Sequence, residues 1–314
     1  MADERAVDGH GYWNAPVRVS APTERRNPDS MDLDLMPTRD VLRVINEADQ
    51  RVPVAVKAVL DQVADTVELA VAALRDGHRV HYFGAGTSGR IGVLDAAELP
   101  PTFNTPSNWF CAHIAGGRDA VWRAIEDAED DEEAGTAAAT ACVSAGDLVL
   151  GLAASGRTPY VLAALRAARA IGAKTALLCA DPQAPAALAV DVFVGVDTGP
   201  EVITGSTRMK AATAQKLVLN AFSTAVMVRL GRVYSNLMID VVATNAKLRG
   251  RMISILMEAT GCSEEASRQA LGAADGDLKT ALVSLVSGAE VAQARAALDR
   301  CGQQVREALT LLAR

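Results

Sequence analysis

The chain has 314 residues, of which 50% are hydrophobic and 22% charged, the balance of a soluble globular protein with material for about two domains. Lys plus Arg number 31 against 38 Asp plus Glu, and the net charge of −7 argues against bulk electrostatic binding to nucleic acid or to an anionic membrane. No apolar run approaches the roughly 18 residues of a membrane-spanning helix, and the N-terminus lacks the basic-then-apolar pattern of a signal peptide.

Residues 1–45 are polar and turn-rich, with Pro22, Asn27-Pro28 and Pro37, and read as an irregular arm. Its segment from Thr23 to Pro28 is either a surface leader or a contact to a partner subunit. From Val52 to Leu74 apolar residues recur at helical spacing, which predicts one long helix beginning near Pro53 and ending at Asp76-Gly77. Arg79 to Phe83 is short, aromatic and β-branched, and reads as a strand. A glycine-rich turn, Gly84 to Arg90, follows it and opens a helix bearing Ile91 and Leu94. Strand, glycine-rich loop and helix make the first half of a βαβ unit.

The same plan recurs. Asp147 to Leu152 is a strand, Ala154 to Tyr160 a loop, and Val161 to Ile171 a helix stopped by Gly172. Thr158 stands as a natural N-cap, with Pro159 at the first helical position. Thr175–Cys179 and Val190–Val196 read as two more strands. A third polar loop, Thr204 to Lys210, opens a long helix that Gly231 ends, and residues 250–314 carry no strand signal. The expected architecture is a three-layer, doubly wound, mostly parallel α/β sheet over residues 46–247, with a small all-helical C-terminal domain over 248–314.

The three loops share small residues, hydroxyls, an arginine and an immediately following helix. A helix N-terminus offers unpaired N–H groups and about half a positive charge, which suits phosphate. Taken alone, Gly84-Ala85-Gly86 is explained as well by turn geometry, and its spacing is that of neither a P-loop nor a complete dinucleotide fingerprint. Three hydroxyl-bearing loops on one sheet edge point instead to a single phosphate monoester. Of the carboxylates, Glu98 shares a helical stripe with Ile91 and Leu94 and falls just before Leu99-Pro100-Pro101. Burial and the negative helix end would both favour its protonated form and make it a proton donor. A glutamate bonded to neighbouring backbone is the alternative. In the acidic segment from Ala120 to Glu133, read as a helix, Glu129 lies between Ile125 and Trp122 at the edge of the apolar stripe. Glu132 falls close by, nearer an expected break at Gly135.

Five widely spaced cysteines and four scattered histidines form no CxxC, HExxH or His/Cys cluster, so no metal site and no disulfide is expected, and the thiols suit a cytoplasmic protein.

Longer segments add a resemblance. Thr23 to Pro28, Val44 to Glu47, Gly84 to Arg90, Leu94 to Thr102 and Ile114 to Gly117 match a family pattern, as do Glu126 to Asp130, Ala154 to Tyr160, Thr204 to Lys210 and Asn236 to Asn245. Across about residues 20–314 the sequence resembles the N-acetylmuramic acid 6-phosphate etherases of the sugar-isomerase (SIS) fold. Leu99-Pro100-Pro101 stands where some members carry Cys-Pro-Pro. The resemblance implies a lyase acting on the D-lactyl ether of N-acetylmuramic acid 6-phosphate in peptidoglycan recycling. It releases D-lactate and leaves N-acetylglucosamine 6-phosphate by elimination followed by water addition, with no cofactor.

The resemblance makes Glu98 the proton donor and Glu129 the second active-site acid. It places phosphate at Thr87-Ser88-Gly89 and at Ser155-Gly156-Arg157-Thr158; Ser206 and Thr207 are added from the chemistry of the third loop. Ser88 and Glu98 are separated by about 15 Å along a continuous helix. Either that helix breaks early or Glu98 serves a site completed by a second subunit, and a homodimer is expected. An aldose–ketose isomerase and a non-catalytic sugar-phosphate sensor are the rival readings. The C-terminal helices look somewhat like a ubiquitin-associated fold.

Overall fold

The computed structural model describes residues 21–241 and 246–313. The first 20 residues of the expected arm and the matching stretch Ala243-Thr244-Asn245 lie outside them.

Five parallel strands form the centre of the chain in the order β2-β1-β3-β4-β5. They are β1 (Val80–Gly84), β2 (Phe110–Ile114), β3 (Leu148–Leu152), β4 (Lys174–Cys179) and β5 (Val192–Gly195). β1 and β3 are buried along their whole length, as a sheet covered on both faces demands. One face carries Tyr82, Leu148, Leu150 and Leu178 against α3 (Leu60–Arg75), α4 (Gly86–Phe103) and α7 (Lys210–Arg229). The other carries Phe83, Val149 and Leu177 against α5 (Glu132–Cys142) and α6 (Pro159–Ile171). After β2 the chain returns across β1 to lay down β3, so strand order reverses between β1 and β3. Ligands of open α/β sheets bind at such a reversal, beyond the carboxyl ends of the strands.

A second core, around Met252, Leu256, Leu282 and Leu298, is built by α8 (Ala246–Thr260), α9 (Glu264–Ala273), α10 (Leu278–Ser287), α11 (Val291–Arg300) and α12 (Val305–Leu312). Ile239, just past the hairpin of β6 (Val233–Tyr234) and β7 (Leu237–Met238), belongs to it. Asp240 joins the two parts, 3.0 Å from Arg232 and 2.7 Å from the buried Lys279. Among the described residues no helix is long and apolar enough to cross a membrane.

Several expectations are corrected. The arm is not irregular throughout: three 3-10 turns lead into α1 (Thr38–Asp49). The long helix from Val52 is two helices, α2 (Val52–Lys57) and α3, because i→i+3 bonds tighten the chain at Ala58 and Val59 while Val56 and Val59 both stay in the core. α4 does not stop before the prolines but runs through Pro100 and Pro101. Leu99 and Phe103, both buried, hold this last turn in place although each proline removes a hydrogen bond. The strand β2 had gone unread. The acidic segment is not a helix: it makes 3-10 turns at Arg118–Val121 and Ala128–Asp130, with Asp127 left-handed at φ 58° between them.

Gly135, the expected break, lies inside α5, where its missing side chain lets α5 close onto α6. A Cβ there would overlap the Tyr160 carbonyl oxygen. Gly135→Ala is therefore expected to cost about 1–3 kcal/mol, read as a lowered urea midpoint at unchanged slope.

Candidate active site

The two best hydroxyl loops sit side by side at the reversal. β1 ends at Gly84 and β3 at Leu152, paired with one another in the sheet. Gly84 and Gly89 let the first turn of α4 settle on the strand end. A Cβ on Gly84 would lie 2.7 Å from the Gly89 nitrogen, and one on Gly89 would lie 2.6 Å from Ile114. The α4 N-cap is Ala85, which has no side-chain oxygen, so no capping side chain occupies the N–H groups that open the helix. Ser88 is buried beside them and Thr87 half-buried.

The second loop is tightly turned. Gly156 adopts φ 69°, and a Cβ there would meet Ala184 at 2.6 Å. Arg157 donates to the Ser155 carbonyl at 3.0 Å and pairs with the buried Asp181 at 2.6 Å. Thr158 occupies the N-cap position of α6 as expected, but its hydroxyl makes no capping bond, leaving this helix start without a side-chain cap as well.

The third loop differs. The carboxylate of Glu201, fully buried, accepts from the backbone N–H groups of Lys210 and Ala211, each at 3.0 Å. α7 thus has its own internal anion. Burial pushes the Glu201 carboxyl above its ordinary range and the Lys210 ammonium below its own, against their mutual attraction. Ser206 and Thr207 are half-buried in the turn before that helix.

The carboxylates fall in separate places. Glu129 lies in the 3-10 turn at Ala128–Asp130 and lines a cavity of about 170 Å³ together with Gly86, Arg90, Arg123 and Glu126. Arg90 shapes that cavity rather than facing it freely: it donates to the carbonyls of Val121 and Arg123 at 3.1 and 2.9 Å, tying the acidic segment to α4. Glu98 is not among the residues lining it. It is exposed, not buried as the stripe with Ile91 and Leu94 implied. The inner stripe of α4 is instead Ser88, Gly92, Asp95, Leu99 and Phe103. Asp95 pins this face, accepting from Tyr82 at 2.8 Å and Ser223 at 3.0 Å. Burial raises the Asp95 carboxyl above its ordinary range while those two hydrogen bonds pull the other way. One chain therefore brings the phosphate loops together and Glu129 beside the first of them, but not Glu98. Around Glu98 and Glu129, Leu94, Trp122 and Ile125 are exposed, Trp122 by 85%.

Comparison with known proteins decides the family. Residues 62–169 match the glucokinase regulatory protein N-terminal SIS domain and residues 128–225 the SIS domain. The N-acetylmuramic acid 6-phosphate etherase of Thermobifida fusca (strain YX) is 60% identical over 274 residues, 87% of this chain and 90% of that protein. Its namesake in Cutibacterium acnes (strain DSM 16379 / KPA171202) is 51% identical over 290 residues, 92% of this chain and 95% of that one. Among solved structures, a phosphoheptose isomerase from Francisella tularensis aligns with a TM-score of 0.48 at 17% identity, over 62% of this chain and 100% of that one.

The chain belongs to the N-acetylmuramic acid 6-phosphate etherase family. Its sheet is that of the SIS domain. For a member of this family the sequence had left two groups unread. Glu201 and Asp181 were missed because each acts through the fold, one capping α7 and one holding Arg157, and neither stands in a glycine-rich loop. The expectation of no His/Cys cluster is also corrected: His81, His113 and Cys142 come together across β1, β2 and α5.

Proposed function

We propose that this chain cleaves the lactyl ether of N-acetylmuramic acid 6-phosphate to D-lactate and N-acetylglucosamine 6-phosphate, in peptidoglycan recycling, with Glu98 and Glu129 as its acid–base pair. The observation that carries the activity is the 60% identity to a named etherase over 90% of that protein's length. The phosphate is assigned to the uncapped start of α4, with Thr87, Ser88 and Gly89, and to Ser155, Gly156, Arg157 and Thr158 before α6. Ser206 and Thr207 are given a lesser part, through their hydroxyls alone, since Glu201 fills the start of α7.

The chemistry follows from the substrate. In the open-chain sugar the aldehyde acidifies the proton on carbon 2. A carboxylate removes that proton, the carbon 3–oxygen bond breaks, and an acid protonates the departing oxygen to give D-lactate. Water then adds across the carbon 2–carbon 3 double bond: its hydroxyl goes to carbon 3 and a proton to carbon 2. One carboxyl must start ionised and the other protonated. Glu98 is assigned as the acid and Glu129 as the base. The rival isomerase would move the carbonyl and release nothing. In heavy water we expect D-lactate together with product deuterated at carbon 2; lactate with an unlabelled product would exclude elimination.

The second subunit supplies the missing acid in this scheme. α4 is continuous from Gly86 to Phe103, so Glu98 stands about 15 Å beyond Ser88 and is exposed. A homodimer covering Leu94, Trp122 and Ile125 would carry Glu98 to the partner's phosphate loops. Mixed dimers of a Glu98→Gln chain and a Thr87→Glu chain contain one intact site if sites are shared, and none otherwise. Activity in the mixture, from two inactive parents, is the expected result. The free state of all five cysteines fits a cytoplasmic enzyme.

A further inference from the structure

None of His81, His113 and Cys142 is among the residues assigned above. His81 Nδ1 is 3.0 Å from His113 Nε2, and Cys142 Sγ is 3.6 Å from the same nitrogen. All three ligand atoms lie within 4.8 Å of one another. A tetrahedral zinc ion with bonds of about 2.05 Å to nitrogen and 2.3 Å to sulfur requires its ligands to be about 3.4 Å apart for N···N and about 3.6 Å for N···S, so the N···S separation already fits and the two nitrogens, at 3.0 Å, part by about 0.4 Å on binding. We propose that His81, His113 and Cys142 form a zinc site joining β1, β2 and α5, with the fourth position open to water.

Three further observations support this assignment. First, the ring of His81 is held from behind. Its Nε2 lies 3.2 Å from Asp147 Oδ2, so the Nε2–H donates there and Nδ1 keeps its lone pair toward the cluster. Asp147 is itself fixed, accepting from the backbone N–H groups of Arg79 at 2.9 Å and Ser144 at 2.7 Å. This carboxylate–histidine arrangement is the usual support of a zinc ligand. Second, His113 is oriented by stacking on Phe83, ring centroids 4.4 Å apart. Third, His113 and Ala138 line a groove of about 690 Å³ that Trp122 also lines. Two imidazoles and one thiolate are borderline-soft donors that favour zinc over magnesium or calcium.

The placement has a consequence for the chain. β2 ends at Ile114 and α5 begins at Glu132, so the ligands on β2 and α5 flank the segment that carries Glu129. Cys142 is the last residue of α5, so an ion here ties the far end of that helix to β1 and β2.

The test uses the full chain, reduced, stripped with a chelator and titrated with cobalt(II) chloride. Wild type should bind about one equivalent. It should show visible d–d bands and a near-ultraviolet thiolate-to-cobalt charge-transfer band, and zinc chloride should bleach both. Cys142→Ser should lose the charge-transfer band, and its melting temperature should no longer rise with zinc. X-ray absorption of the zinc-loaded wild type, which needs no variant, should show one sulfur and the remainder nitrogen or oxygen. Absence of the charge-transfer band in wild type, its retention in Cys142→Ser, or a zinc shell without sulfur would each overturn the site.

Discussion

Glu98→Gln is expected to lower the rate of D-lactate release by about 10²–10⁴-fold, the usual weight of one positioned acid or base. The substitution keeps the shape of the side chain and removes only its proton. Glu98 is exposed on α4 and makes no hydrogen bond or ion pair among the described residues, so the urea midpoint of the variant should match that of wild type. The helix is held from its other face, by Asp95, Leu99 and Phe103. The phosphate loops are untouched, so KM should change little while kcat falls, the sign of an interaction made in the transition state alone. The pattern separates the readings. A sugar-phosphate sensor would bind the substrate with or without Glu98 and release no lactate in either form. A variant retaining more than about a tenth of wild-type kcat would remove Glu98 from the acid's role.

The parts of the fold that were legible in the sequence are those where local chemistry and tertiary structure agree. Gly84 to Arg90 reads as a strand-to-helix turn because glycine is the residue that permits the close approach found there. Thr158-Pro159 marks a helix start because proline costs nothing at that position. Where the two levels part, reading along the chain fails. β2 is an edge strand whose middle residues, Cys111, Ala112 and His113, are only half-buried, so it shows neither alternation nor a solid apolar run. The helical wheel drawn through Glu129 assumed a helix that Asp127 breaks. Glu98 looked buried because Leu94 shares its stripe, yet Leu94 is itself 44% exposed. The histidine–cysteine group joins residues 32 and 29 positions apart, on three elements, and no spacing rule reaches that far.

Glu201→Ala is expected to destabilise the fold by about 2–4 kcal/mol, through the loss of a cap and the stranding of buried donors. Both carboxylate oxygens of Glu201 are committed, one to Lys210 N–H and one to Ala211 N–H, and no water reaches the fully buried side chain. Alanine leaves both donors unpaired and takes an opposing charge from the buried Lys210 ammonium, which would retain its bond of 2.7 Å to the Thr198 carbonyl. Glu201→Gln should lie between the two, because one amide oxygen still accepts while its NH₂ faces the other N–H. The same variants distinguish the three helix starts. If phosphate binds at α4 and α6 while the start of α7 is filled from within by the buried Glu201, inorganic phosphate should stabilise wild type and Glu201→Ala by similar amounts, and chloride at matched ionic strength should not substitute. In wild type the start of α7 is occupied, so phosphate should leave the α7 amide protons exchanging at an unchanged rate while slowing those at the start of α4. Slowed exchange at α7 in wild type would show that Glu201 yields its place to the ligand, and would raise Ser206 and Thr207 from a lesser part to a principal one.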